Sequence, residues 1–256
     1  MSETEDPRKR VEELERELQA SKAQTKTYLQ NVAHQLTAPL GAIKWSIEGL
    51  KDATIPLARK GKLLSSVYSQ ASILVHLIKN FALMSNLDAD QELGQMRNQE
   101  PVDLLRLSIN LANDFQPQAF DAEKKIEVDA ESFKKILGNS QVLAEKNLVA
   151  QAISNLLENA VKYADAATTI DVRGEKKEGV GVSVSSIGIP ISEPDKAQLF
   201  TRGYRGAAAK QRVAAGTGIG LYLASRVMNL HQGKILLETH GKTTRFTLVF
   251  PQNRIR

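Results

Sequence analysis

The sequence predicts an all-α helical hairpin, paired between two copies as a dimeric four-helix bundle, followed by an α+β sandwich domain. Three observations carry that reading. Two long stretches near the N-terminus place apolar residues at alternating intervals of three and four, the period of an amphipathic helix. Residues 88–101 then turn polar and change character, as a linker does. Beyond them, helical patterns alternate with short strand-like runs, which gives a mixed sheet with helices on one face.

Residues 1–30 are dense in charge, with Val11, Leu14 and Leu18 spaced as in a short coiled-coil entry. Leu36, Leu40, Ile43, Ile47 and Leu50 continue the stripe. A second helix carries Leu64, Val67, Ala71, Leu74, Ile78 and Phe81, and residues 52–62, with Pro56 and Gly61, read as the hairpin connection. Two narrow-striped helices do not close a core alone, whereas two such hairpins do, so a homodimer is expected. Residues 102–120 read as helix and 125–130 as strand, while 131–147 fits no single element. Strand patterns follow at Ile170 and Val172, at Val180, Val182 and Val184, at 235–237, and at Phe246, Leu248 and Phe250, with a turn at 240–243. The expected domains are a coiled-coil helix at 1–23, a dimerising hairpin at 24–90, a linker at 91–100 and the sandwich at 101–256.

At 256 residues the chain holds one or two domains with real cores, and its lack of cysteine excludes a disulfide framework and thiol chemistry. The N-terminus is charged, and no apolar run approaches the roughly 18 residues of a membrane span, so the cytosol is the expected address. The net charge of +5 is modest, with one basic cluster at Arg202, Arg205, Lys210 and Arg212. No aromatic-interleaved patch accompanies it, so nucleic acid is not the expected partner.

Residues 151–164, read as a helix, have two unlike faces. Ala152, Ile153, Leu156, Ala160 and Val161 form an apolar stripe, while Asn155, Asn159 and Lys162 share a polar strip at i, i+4 and i+7. Asparagine is a poor residue for mid-helix. Two carboxamide oxygens beside an ammonium suit a hydrated Mg²⁺ carrying a polyphosphate, and a solvated face accounts for the strip equally well. Downstream, Gly216, Thr217, Gly218, Ile219, Gly220 and Leu221 open another helical pattern, where glycines free the backbone to approach an anionic ligand.

The stretches NLLENAVKYA and GTGIGLYLAS resemble the N and G2 boxes of the ATP-binding domain of sensor histidine kinases, a fold shared with DNA gyrase. The resemblance extends over about residues 24–256. Within NVAHQLTAPLGAI, the residues His34, Leu36, Pro39 and Leu40 match the family's H box. At 100° per residue His34 points away from Val32 and Leu36, and Pro39 is expected to bend or loosen the helix one turn later. A lone histidine is more often structural. The likeness instead makes His34 the acceptor of the γ-phosphoryl of ATP, which then passes to an aspartate of a response-regulator receiver domain. Gln35 stands where the family has a carboxylate that takes the imidazole proton, and Ala38 replaces a Thr or Asn that positions water. Slow autophosphorylation and weak phosphatase activity follow from those departures. His76 and His231 read as structural.

Residues 182–191, VSVSSIGIPI, resemble the G1 box, with Ser186 in place of the adenine-binding aspartate, Gly188 retained, and Pro190 and Ile191 closing the loop. Residues 199–206 resemble the F box, making Phe200 an apolar anchor and 206–216 a mobile lid. The likeness places Arg205 near the γ-phosphate, Asn159 on Mg²⁺, Asn155 in the metal and phosphate shell, and Lys162 and Tyr163 on phosphate and ribose. Glu158 is a helper or a rim charge. The gyrase branch carries a water-activating glutamate four residues before the metal-binding asparagine; here that position is Asn155, which cannot abstract a proton. The implied protein is a dimeric kinase using ATP and Mg²⁺, governed by an upstream sensor domain or protein. The alternative is a degenerate kinase acting as a dimeric scaffold that binds nucleotide or a regulator.

Overall fold

A computed structural model describes residues 7–52, 54–88, 98–138, 141–213 and 216–256. Helix α1 (Pro7–Leu50) is continuous, passing position 23 and Pro39 without a break. The side chains of Leu14 and Leu18 lie outside the described residues, as do positions 91–97 of the expected linker. Helix α2 (Leu57–Asp88) begins earlier than the sequence suggested and takes Gly61 into its first turns. Pro56 explains the early start: its fixed φ suits a helix entry, and its carbonyl accepts from the amides of Arg59 (2.9 Å) and Lys60 (3.0 Å). Asp52 closes the connection by accepting from the amide of Thr54 at 2.9 Å.

The hairpin buries Val32, Leu63, Leu77, Leu83 and Met84. Part of the expected stripe faces outward, with Leu40, Ile47, Leu64 and Ile78 each more than 40% exposed beside Trp45, Tyr68 and Val75.

The second part opens with strand β1 (Glu100–Val102) and helix α3 (Leu104–Asp121), whose N-cap Asp103 accepts from the amide of Arg106. The segment that matched no single element resolves into three. Strand β2 (Lys125–Asp129) ends where Asp129 caps helix α4 (Ala130–Leu137), and Gly138, at φ 58°, ends that helix. Strand β3 (Val142–Ala144) then pairs antiparallel with β1. Helix α5 (Lys146–Tyr163) is capped by Glu145, which accepts from the amide of Leu148 at 2.7 Å.

Strands β4 (Thr169–Lys176), β5 (Val180–Ile187), β6 (Lys234–His240) and β7 (Thr243–Phe250) complete a sheet of order β2-β4-β5-β7-β6. Only β2–β4 is a parallel pair, as the long crossover through α4 and α5 permits. Ile170, Val172, Val180, Val182, Val184, Leu248 and Phe250 form one apolar core with α3, α5 and α8 (Gly220–Leu230). The opposite face is polar: Ser183 donates to Glu175 at 3.2 Å, and Arg245 pairs with Glu175 at 3.5 Å. This is the expected mixed sheet with helices on one side. The chain end is sewn to β3, where Gln141 and Arg256 exchange backbone hydrogen bonds of 2.8 Å.

Candidate functional site

A cleft lies between the C-terminal end of α5, the end of β5 and residues 199–213 and 216–221. Its inner chamber is lined by Leu156, Ala160, Ile191, Leu199, Leu221 and Phe246, with Asn159, Ser186, Gly188 and Thr244 among them. Its outer chamber is polar, lined by Asn159, Lys162, Tyr163, Arg205, Gly216, Thr217, Gly218 and Gly220. Gln35, Leu77 and Asn80 of the hairpin complete that outer wall. An apolar slot opening onto a polar mouth matches a flat aromatic base joined to a charged tail.

Glycine is required at two points. Gly188 packs against the end of α5, where a Cβ would stand 2.1 Å from the Tyr163 carbonyl oxygen. Gly218 has φ +67°, and a Cβ would meet the backbone of Gly203 and Tyr204 at 2.6 Å. The Gly203 amide donates to the Gly218 carbonyl at 3.1 Å, joining the two loops that flank the mouth.

Four expected residues lie elsewhere. Ile219 is buried beneath α8 and Phe200 packs edge-on to Phe246, with ring centroids 6.4 Å apart, so both serve the core. Asn155 is 1% exposed and lines neither chamber. Its Oδ1 accepts from Asn80 at 2.9 Å and stands 3.1 Å from His76 Nε2, because α2 packs over this part of α5. His34 is exposed on α1, next to Gln35 in the wall.

Arg205 is turned to the lid itself. Its guanidinium donates to the carbonyls of Gly216 (3.4 Å), Ala209 (3.3 Å) and Val213, bracing the segment from inside. Part of that segment, expected to be a mobile lid, is the short helix α7 (Ala207–Arg212), while α6 (Glu193–Lys196) precedes it. Arg212 fastens α7 to the end of α5 through Asp165 at 3.3 Å.

Glu158 borders the outer chamber beside Lys162. It is buried, bonded to Lys162 Nζ at 2.5 Å and to His76 Nε2 at 2.9 Å. Burial pushes its carboxyl up, but Lys162 and His76 outweigh that and hold it well below the usual carboxylate range, at about 2. The sequence marks His76 as structural and leaves Asn80 unmarked, because the partners of α2 lie some 75 positions downstream. Their signal was two polar residues one turn apart in a run that is otherwise apolar but for Lys79.

His231 is structural, as expected. Nε2 accepts from the Glu145 amide at 3.0 Å and Nδ1 donates to the Val227 carbonyl at 2.8 Å. Burial pushes its pKa down, against the opposing pull of the Val227 carbonyl. An unfolded chain takes up this proton near pH 6.5 while the folded one resists, so the stability involved is full above about pH 6.5 and is lost as pH falls. The thermal midpoint is expected to drop between about pH 7 and pH 5.5, and to drop less in His231→Gln; equal drops would remove the assignment.

Among the described residues no group of three His, Cys, Asp or Glu side chains is placed to hold a metal, and no helix is long and apolar enough to cross a membrane. The oxygen-bearing side chains that line the outer chamber include the carboxamides of Gln35, Asn80 and Asn159, the Thr217 hydroxyl and the Glu158 carboxylate, donors of the class that suits Mg²⁺.

Residues 144–254 match the family described as histidine kinase-, DNA gyrase B-, and HSP90-like ATPase. The sensor-like histidine kinase SenX3 of Mycobacterium tuberculosis is 26% identical over 231 residues, covering 90% of this chain and 54% of SenX3. The circadian input-output histidine kinase CikA of Synechococcus elongatus is 29% identical over 241 residues, covering 93% of this chain and 31% of CikA. The chain thus spans about half the length of one relative and under a third of the other. The solved structure of the Acinetobacter baumannii histidine kinase AdeS shares the fold, with a TM-score of 0.54 at 20% identity over 86% of this chain and 98% of that one. An ATPase-type fold, a slot with a polar mouth, and likeness across nine-tenths of the chain agree: residues 144–254 match the histidine kinase-, DNA gyrase B-, and HSP90-like ATPase family, and the chain as a whole is similar to sensor histidine kinases.

Proposed function

We propose that the chain is a histidine protein kinase that phosphorylates His34 from Mg-ATP and hands the phosphoryl group to an aspartate of a response-regulator receiver domain. One observation carries the reading: the polar mouth of the cleft is walled by Gln35, the immediate neighbour of the exposed His34.

In this reading adenine enters the inner chamber, where Ser186 offers a hydroxyl in place of the usual carboxylate. Lys162 and the backbone of 216–220 face the triphosphate. Bound Mg²⁺, held by Asn159, would neutralise charge on the phosphates. A ring nitrogen of His34 attacks the γ-phosphorus, the bond to the β–γ bridging oxygen breaks, and ADP leaves. Gln35 accepts a hydrogen bond but no proton, so the imidazole proton passes to water. A receiver aspartate then attacks phosphorus, the N–P bond breaks, and the imidazole regains its proton. Incubation with Mg²⁺ and γ-labelled ATP is expected to give an acid-labile, base-stable label on the chain; an acid-stable label would place it on another residue type and sink the reading.

The outward stripe of the hairpin is assigned to a second copy, which would bury Leu40, Ile47, Leu64 and Ile78 in a four-helix bundle. Ile47→Lys with Leu64→Lys is expected to convert a dimer to a monomer in sedimentation; an unchanged mass would place the interface elsewhere. An upstream sensor domain or protein acting on α1 completes the proposal.

A further inference from the structure

We propose that His76 and Asn80 of α2 form a clasp on α5 that withholds Asn155 from the polar mouth of the cleft and keeps the Lys162 charge engaged within it, so that nucleotide binding and release of α2 are linked. The inference rests on the reading of this cleft as a nucleotide site.

The clasp is a closed, directional network. Gln151 Nε2 donates to Asn80 Oδ1 at 2.8 Å, and Asn80 Nδ2 donates to Asn155 Oδ1 at 2.9 Å. Reversing the Asn80 amide would set donor against donor, so the orientations of the chain are fixed together. His76 completes it as the tautomer protonated on Nε2. That N–H faces Glu158 Oε2 at 2.9 Å and Asn155 Oδ1 at 3.1 Å, while Nδ1 accepts from Gln151 at 3.2 Å. All five side chains are buried.

Three features make this a withholding arrangement rather than packing alone. The Asn155 oxygen is occupied by donors from α2, whereas its Nδ2 is buried with no partner among the described residues. An amide held in that state would recover a hydrogen bond on moving. Glu158, steadied by His76, holds the Lys162 ammonium at 2.5 Å and so engages a cation that lines the mouth. Finally, Leu77 and Asn80 of α2 themselves wall the mouth. An apolar leucine there is a poor neighbour for a triphosphate, so a polyphosphate favours the arrangement in which α2 has moved off. Linkage is reciprocal: whatever weakens the clasp tightens the nucleotide, and the nucleotide weakens the clasp.

The test is calorimetric titration of the full chain with Mg²⁺ and a non-hydrolysable ATP analogue. Asn80→Ala and His76→Leu are expected to bind the analogue about fivefold or more tightly than the unaltered chain, the lower end of usual coupling. His76→Gln, whose amide offers a donor at the reach of Nε2, is expected to stay near the unaltered affinity. In an Asn155→Ala background Asn80→Ala is expected to give much less tightening, which a merely structural role would not produce. Should His76→Leu fail to fold by circular dichroism, Asn80→Ala and its cycle with Asn155 decide alone. Unchanged or weaker binding by folded Asn80→Ala overturns the clasp and leaves the nucleotide site standing. Failure of every form, the unaltered chain included, to bind the analogue overturns both.

Discussion

His34→Ala is expected to abolish phosphoryl labelling while leaving nucleotide affinity and thermal stability where they were. The imidazole is exposed on α1 and lines neither chamber of the cleft. Substitutions at such surface positions shift stability by about 0.5 kcal/mol or less. Its loss removes the attacking nitrogen itself, and Gln35, the neighbouring wall residue, has no nucleophilic lone pair to substitute. A fall in labelling of at least about a thousandfold is the scale for deleting a covalent nucleophile. The measurement pairs filter-bound label with titration of a non-hydrolysable ATP analogue. Residual labelling near the unaltered rate would move the acceptor elsewhere.

Gly218→Ala is expected to do the reverse, removing nucleotide binding and, through it, labelling. The residue sits at φ +67°, a conformation that costs an alanine about 1 kcal/mol before any clash. The added Cβ would then stand 2.6 Å from Gly203 carbonyl carbon and Tyr204 oxygen, both backbone atoms that cannot swing aside. The turn must open, breaking the 3.1 Å bond from Gly203 to Gly218 and spreading the two loops that hold Arg205 and Thr217 in the mouth. Affinity for the analogue is expected to fall by roughly a hundredfold or more, with about 2–3 kcal/mol of stability lost to strain and overpacking. Unaltered affinity would show that the turn does not shape the site.

Much of this architecture is legible along the chain because it is written in local periods. The alternation at Val180, Val182 and Val184 and at Phe246, Leu248 and Phe250 marks two strands that pair directly, and the i, i+4 asparagines mark α5. What resisted reading is what depends on distant neighbours. Residues 131–147 hold a two-turn helix and a three-residue strand, too short for any period to declare itself, and β3 exists because β1 and the chain end pair with it. Asn155 shares a polar strip with Asn159 and Lys162, yet α2 packs over its part of α5 and its oxygen faces His76 and Asn80, while the other two line the cleft. Phe200 and Ile219 belong to motifs that border the cleft, yet their own side chains turn toward the core, which a motif does not record.

The unbroken course of α1 carries one more consequence, a torsional one. Its 44 residues make a rod of about 66 Å at 1.5 Å per residue, with the imidazole roughly 40 Å from the Pro7 end. Each residue advances the helix by about 100°, so adding a single residue upstream of Ala33 would turn the distal shaft about its axis by that angle relative to His34. Adding seven returns it to within about 20°. The shaft thus delivers orientation as well as distance, and its output depends on the phase in which it is gripped.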